Sequence, residues 1–294
     1  MKTNYKKVYY TGRLLVILLT GSFCFSKAVA QTTDSASTIT TDTSEVKKTT
    51  FTIGAIYSNN ANYYGQVADE KMPYVALSGT LQFPFGVYLT GLAYKLLNDS
   101  SMVSASALGA GYQFNITKKL TGDVSYIHTF YPANSPFLQA ANPGIASATL
   151  NYDHVFTTGV TFDYAFGKES SDYFLTLSSF KAFDFYTNNN KAIVSVTPQV
   201  DIIAGTQQFY ETYKINRNNK GGGKPDTPPG PPQTVTTEYK NFGMLSYNFK
   251  LPVSYSRASY MLEAAYQLSV LANNVASGAG SAHSFITISA YYQF

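Results

Sequence analysis

Three histidines, His128, His154 and His283, are the first place to look for chemistry, because imidazole serves as a base or a metal ligand near neutral pH. They are scattered, and with one cysteine, Cys24, they give no metal-ligand spacing. Nucleophilic catalysis needs a serine beside a base that a third group orients. His154 follows Asp153, but His128 and His154 are expected at opposite ends of neighbouring strands, far apart. No catalytic residue, metal or cofactor is therefore assigned, and the chain is read as a non-enzyme. The triplet Gly221-Gly222-Gly223 is no phosphate cradle, since no Gly-Lys-Ser/Thr follows and no helix begins there.

Two other groups could act on a solute. Asp123, Asp153, Asp163, Asp201, Glu263 and Lys250 fall on the polar faces of alternating segments, and facing a common lumen they would set its ion preference. Asp123, Asp153 and Asp163 are expected on three successive strands at similar depth, forming an acidic patch that favours cations. The bland alternative is that they bond to Ser and Thr, or pair with lysine, in a filled interior. Tyr88, Tyr94, Tyr112, Phe285 and Tyr291 are read on the same inner face, where rings can stack on a sugar or simply fill space.

What must position these residues is a set of strands. Tyr260, Leu262, Ala264, Tyr266, Leu268 and Val270 share a face, opposite Met261, Glu263, Ala265, Gln267 and Ser269. Leu245, Tyr247, Phe249 and Leu251 oppose Met244, Ser246, Asn248 and Lys250 in the same way. At the end of the sequence Phe294, Tyr292, Ala290, Ile288 and Ile286 oppose Gln293, Tyr291, Ser289 and Thr287. Twelve strands are predicted near 51–58, 74–83, 86–95, 102–114, 118–129, 145–155, 158–167, 172–181, 192–203, 239–251, 258–270 and 283–294. Short links are expected at Pro84-Phe85, Asn115-Ile116-Thr117, Phe156-Thr157 and Ser254-Tyr255-Ser256-Arg257, and 182–191 reads as a somewhat long turn. Longer links fall at 59–73, 130–144, 204–238 and 271–282. Alternating short turns and long loops are the asymmetry of a transmembrane barrel.

Composition agrees. Tyr at 25 and Phe at 20, without Trp, is a heavy aromatic load on a chain only 13% charged. Lys2, Lys6, Lys7 and Arg13 precede an apolar run from Leu14 to Phe25, and Ala28-Val29-Ala30 offers a cleavage context before Gln31. Residues 1–30 are thus read as a signal peptide, 31–50 as a disordered Ser/Thr-rich lead-in and 51–294 as the barrel. A lipoprotein reading of Cys24 is weakened by the bulky Phe23 before it. Cleavage leaves 16 Lys and Arg against 17 Asp and Glu, a net charge of −1, so the basic balance of the whole chain gives no reason to expect nucleic acid. A soluble β-sandwich or lipocalin-like barrel also alternates, but would carry more charge on its outer face.

The ending Ala290-Tyr291-Tyr292-Gln293-Phe294 and the architecture resemble outer-membrane β-barrel proteins of Gram-negative bacteria, over nearly all of the chain beyond the leader. The Ala-Gln cleavage context and Tyr-rich strands look like those of Bacteroidetes-type bacteria. The Tyr152-Asp153-His154-Val155-Phe156 segment does not resemble the His-Asp-Ser segment of outer-membrane phospholipases, which leaves an outer-membrane hydrolase as a minor alternative. The resemblance implies an all-β, transmembrane, antiparallel up-and-down β-barrel of about 12 strands in the outer membrane. It implies lipid and lipopolysaccharide contacts, and assembly by periplasmic chaperones and barrel-insertion machinery that read Tyr292 and Phe294. The leading expectation is porin-like passage of small solutes with a weak cation preference. The alternative is a closed barrel displaying loops for adhesion or envelope anchoring. The Gly/Pro-rich loop 204–238, with Lys214, Arg217, Lys220 and Lys224, is read as exposed.

Overall fold

The computed structural model describes residues 48–132, 135–167, 171–187, 191–209, 242–273, 275 and 278–294. The leader with Cys24, most of the lead-in and the Gly/Pro-rich part of loop 204–238 lie outside the described residues.

Strands run antiparallel in chain order: β1 (Thr50–Ser58), β2 (Tyr74–Gln82), β3 (Val87–Leu96), β4 (Ala105–Asn115), β5 (Leu120–Phe130), β6 (Gly144–Asp153), β7 (Thr157–Phe166) and β8 (Ser171–Phe180). They continue as β9 (Phe183–Thr187), β10 (Ala192–Val196), β11 (Gln199–Gly205), β12 (Gly243–Arg257), β13 (Tyr260–Leu271) and β14 (Ala282–Gln293). β14 pairs back on β1 and β8 pairs on β11, so twelve strands close a ring and leave no edge around it. A bilayer demands such closure, because an unpaired amide in hydrocarbon costs several kcal/mol.

The barrel is apolar outside and polar inside. Leu77, Leu89, Leu108, Val160, Leu177 and Ile288 stand exposed on the outer wall, whereas Thr80, Thr90, Thr149, Asn248, Gln267 and Ser289 are buried within. Met261, Glu263, Gln267 and Ser269 face inward, as their alternation requires. Both ends of the described chain lie with the short turns, at what is here called the turn end; the longer connections crowd the opposite, loop end.

Three sequence expectations change. The turn after β12 is Ala258-Ser259, and the strand runs through Ser254-Tyr255-Ser256-Arg257. The stretch 182–191 holds β9, which pairs with β10 and extends the β8–β11 hairpin past the start of β7. That extension breaks from the main hairpin at Thr197-Pro198, since Pro198 has no N–H to donate to the ladder; the Pro198 carbonyl instead accepts from Lys181 N at 3.2 Å. Leu245 was expected outside with Tyr247, but it is 0% exposed in the interior. A register shift opposite Ile203 and Ala204 leaves Leu245 as the extra residue of a bulge, and the alternation slips by one at that point.

Candidate functional site in the barrel lumen

The loop end of the lumen is filled by three inward-folded segments. The first is 59–73, whose tip is a two-residue hairpin. Tyr63 N donates to Gln66 O at 2.9 Å and Gln66 N to Tyr63 O at 3.0 Å. The central residues, Tyr64 at φ 50° and Gly65 at φ 88°, are both left-handed, as this turn type requires. Glycine accepts that backbone freely; tyrosine pays about 1–2 kcal/mol, so the surroundings must hold it there.

They do so from the far side of the ring. The Tyr64 hydroxyl donates to Asp163 Oδ2 at 2.9 Å on β7, six strands from β1. Its ring stacks on Phe174 of β8 at 3.6 Å, and its carbonyl accepts from Ser246 Oγ of β12 at 2.9 Å. Tyr63 meets Phe209 edge-on at 4.7 Å and Phe174 at 5.7 Å. Burial, then the charges of Asp172 and Asp163 respectively, push both tyrosine hydroxyls well above their ordinary range, so they stay protonated.

The second segment, the described part of 131–143, carries a 3₁₀ turn at Leu138–Ala141, and Gln139 Nε2 donates to Asn62 O at 3.4 Å. The third is 206–209, which follows β11. Asp172, 0% exposed at the start of β8, ties the last two together. Its carboxylate accepts from Asn142 Nδ2 at 2.7 Å, Thr206 Oγ1 at 2.5 Å, Gln208 N at 2.8 Å and Phe209 N at 2.8 Å. Sequence reasoning missed Asp172 and the Tyr63–Gln66 tip. An aromatic pair before a glycine in an otherwise polar loop was the available signal.

Below this plug the inward residues find partners. Asp123 accepts from the Tyr88 hydroxyl at 3.2 Å, Asp163 also from Ser147 Oγ at 2.5 Å, and Asp153 from Thr157 Oγ1 at 2.7 Å. Asp201 pairs with Lys250 at 2.6 Å and accepts from Gln199 Nε2 at 2.7 Å. The three carboxylates do not share a depth. Asp123 lies opposite Thr149, Asp163 opposite Ser147 and Asp153 opposite Thr157 at the end of β6, so register sets Asp123 and Asp163 two residues apart in depth and Asp153 four residues beyond Asp123.

Tyr88, Tyr94 and Tyr291 face inward and are buried. Tyr112 does not: it is 43% exposed on the outer wall, stacked on Phe114 at 5.5 Å. The inner face of β4 is its row of small residues, Ala105, Ala107, Gly109 and Gly111. A Cβ at Gly111 would run into the Tyr88 ring, so the neighbouring tyrosine already fills the space that Tyr112 was expected to take. At the terminal rung Tyr292 and Phe294 face outward, and Phe294 stacks on Phe51 at 6.1 Å. His128 pairs with Tyr126 at 3.3 Å on the outer wall, His154 lies in the turn after β6 and His283 bonds to Ser281, so they share no site.

Between the plug and the rung of Glu263 lies a cavity with about 50 Å³ of room for water centres. Asn60, Gln139, Lys250, Glu263, Gln267 and a set of aromatic rings line it.

No protein-family model matches the sequence, and no curated protein matches it. Among solved structures, the chain is similar to the KdgM porin at 9% identity and TM-score 0.45, covering 83% of this chain and 99% of that one. It is similar to the NanC porin at 8% and 0.44, covering 82% and 98%. It is also similar to the beta domain of the Bordetella autotransporter BrkA at 6% and 0.41, covering 84% and 100%. Likeness this weak carries no argument about function.

Proposed function

We propose that this chain is an outer-membrane channel for small solutes, narrow and closed at its loop end by its own inward-folded segments. The carrying observation is an inside-out closed barrel whose polar lumen holds a cavity directly beneath a hydrogen-bonded plug. An apolar outer wall suits lipid, and the polar interior suits a wetted path. On this reading the turn end faces the periplasm, lipid and lipopolysaccharide surround the wall, and Tyr292 and Phe294 are the strand-end signal for the insertion machinery. The channel carries a weak cation preference. In support, Asp123, Asp153, Asp163, Asp201 and Glu263 face inward against a single lumenal lysine, Lys250, among the described residues.

A specific observation favours a second reading, a closed barrel that displays loops. Inner side chains from Tyr88 to Ser289 are almost wholly buried, so the bore in this conformation is packed. Conductance of the refolded protein across a planar bilayer, under a KCl gradient, separates the two. Brief ohmic openings with a cation-directed reversal potential are expected. Silence from folded protein, persisting after the plug is loosened, would overturn the channel and leave the loop-display barrel.

A further inference from the structure

Glu263 stands apart from every other inward carboxylate. It is 6% exposed and lines the cavity, yet no hydrogen-bond donor or cation among the described residues meets its carboxylate. The lumenal cation, Lys250, is committed to Asp201 at 2.6 Å. Across the cavity the Tyr94 hydroxyl is also buried without a partner. Register explains the gap between them. Glu263, Ser289, Ile56, Ala76 and Tyr94 sit on one rung across five neighbouring strands, with Glu263 and Tyr94 at its two ends. Two buried polar groups without partners, facing one space, mark a place built for something else.

The lining specifies what fits. An uncompensated carboxylate asks for a positive charge. Tyr74, Tyr94, Tyr131, Phe137 and Phe285 line the space with aromatic rings, and ring faces attract weakly hydrated organic cations. The Tyr74 and Tyr94 rings meet edge-on at 5.9 Å, so they form two walls of a corner and not a flat stack. At roughly 10–15 Å³ per water by the same measure, the cavity has room for a few waters or one compact head group, and not for a sugar ring.

We propose that this cavity binds a small organic ammonium ion, with Glu263 as its counter-charge and the aromatic corner around its alkyl groups. The site rests on the channel reading only for its biological use; binding itself is measured separately. Choline chloride is titrated calorimetrically into the folded, detergent-solubilised barrel, alongside its uncharged isostere 3,3-dimethylbutan-1-ol. Saturable binding of choline is expected, at least tenfold weaker for the alcohol and at least tenfold weaker for Glu263→Gln. Glu263→Asp, which keeps the charge, should fall between. Folding of each variant is checked by heat-modifiable gel migration, and the choline–alcohol comparison on the unaltered protein decides the matter if a variant fails to fold. No binding by the folded protein, equal binding of the two probes, or a folded Glu263→Gln that binds as before overturns the site. Choline binding without conductance would sink the channel and leave the site; conductance without choline binding would do the reverse.

Discussion

Replacing Asp172 with asparagine should release the plug while leaving the barrel standing. Asp172 Oδ1 accepts from Thr206 Oγ1 and Gln208 N, and Oδ2 from Asn142 Nδ2 and Phe209 N. Asparagine keeps the shape but turns one of those oxygens into a donor. If the new amide nitrogen takes the Oδ2 position, Asn142 can rotate its own unpaired Oδ1 toward it, and the Phe209 N–H is orphaned. If it takes the Oδ1 position, the Thr206 hydroxyl can accept, and the Gln208 N–H is orphaned. Either way one buried N–H loses its partner at about 1–3 kcal/mol, and the three bonds that survive drop from charge-assisted to neutral at about 1 kcal/mol each. The sum, roughly 4–6 kcal/mol, corresponds to about three to four orders of magnitude in a local opening equilibrium. No ladder hydrogen bond of the barrel involves this side chain, so the cost falls on segments 131–143 and 206–209. Hydrogen exchange in detergent is the assay. Protection at the Gln208 and Phe209 amides should drop at least a hundredfold while the barrel strands and their melting temperature hold. Protection within tenfold of the parent, or loss of the strands together with the loops, would refute the view that Asp172 fastens a separable plug.

Gly65→Ala puts a Cβ 2.6 Å from Ser246 Cβ at a left-handed position, which costs about 1–2 kcal/mol before the clash is counted. Single-channel openings should become about tenfold more frequent, and an unchanged record would count against the tip as the closure. Leu177→Arg, on the outer wall of β8, should cost about 2–4 kcal/mol if it meets the bilayer midplane, read as a lower unfolding midpoint in lipid vesicles; no loss would contradict a lipid-facing wall. Lys250→Met strands the buried Asp201 charge and should destabilise by about 3–5 kcal/mol, with Lys250→Met/Asp201→Asn recovering part of it in the same unfolding assay. In the loop after β3, hydrogen bonds from Ser101 and then Ser104 hold the Asp99 carboxyl down at about 2. Because this folded value lies below the ordinary one, the order it lends the loop is complete above about pH 4 and lost as pH falls through about 2. The Ser101 amide resonance should titrate over that window and become pH-independent in Asp99→Asn.

Period-2 alternation marked the twelve strands of the ring, though not β9, because an apolar outer wall and a polar lumen select opposite residues at every second position. Met261, Glu263, Gln267 and Ser269 could have no other face once Leu262, Ala264 and Leu268 took the outer one. The twelve-strand closed barrel was legible for that reason, and so was the inward aim of Asp123, Asp163, Asp201 and Glu263. Only the tertiary structure decided how the inside is shared. Tyr112 lost its inner place because Tyr88, on a different strand, had already filled the space above Gly111. Leu245 turned inward because a bulge arises from the count of residues on two paired strands, which one strand's pattern cannot show. The plug lay furthest from view. Tyr64 meets Asp163 across 99 residues and Ser246 across 182, and such contacts exist only once the ring has closed and brought β1 opposite β7.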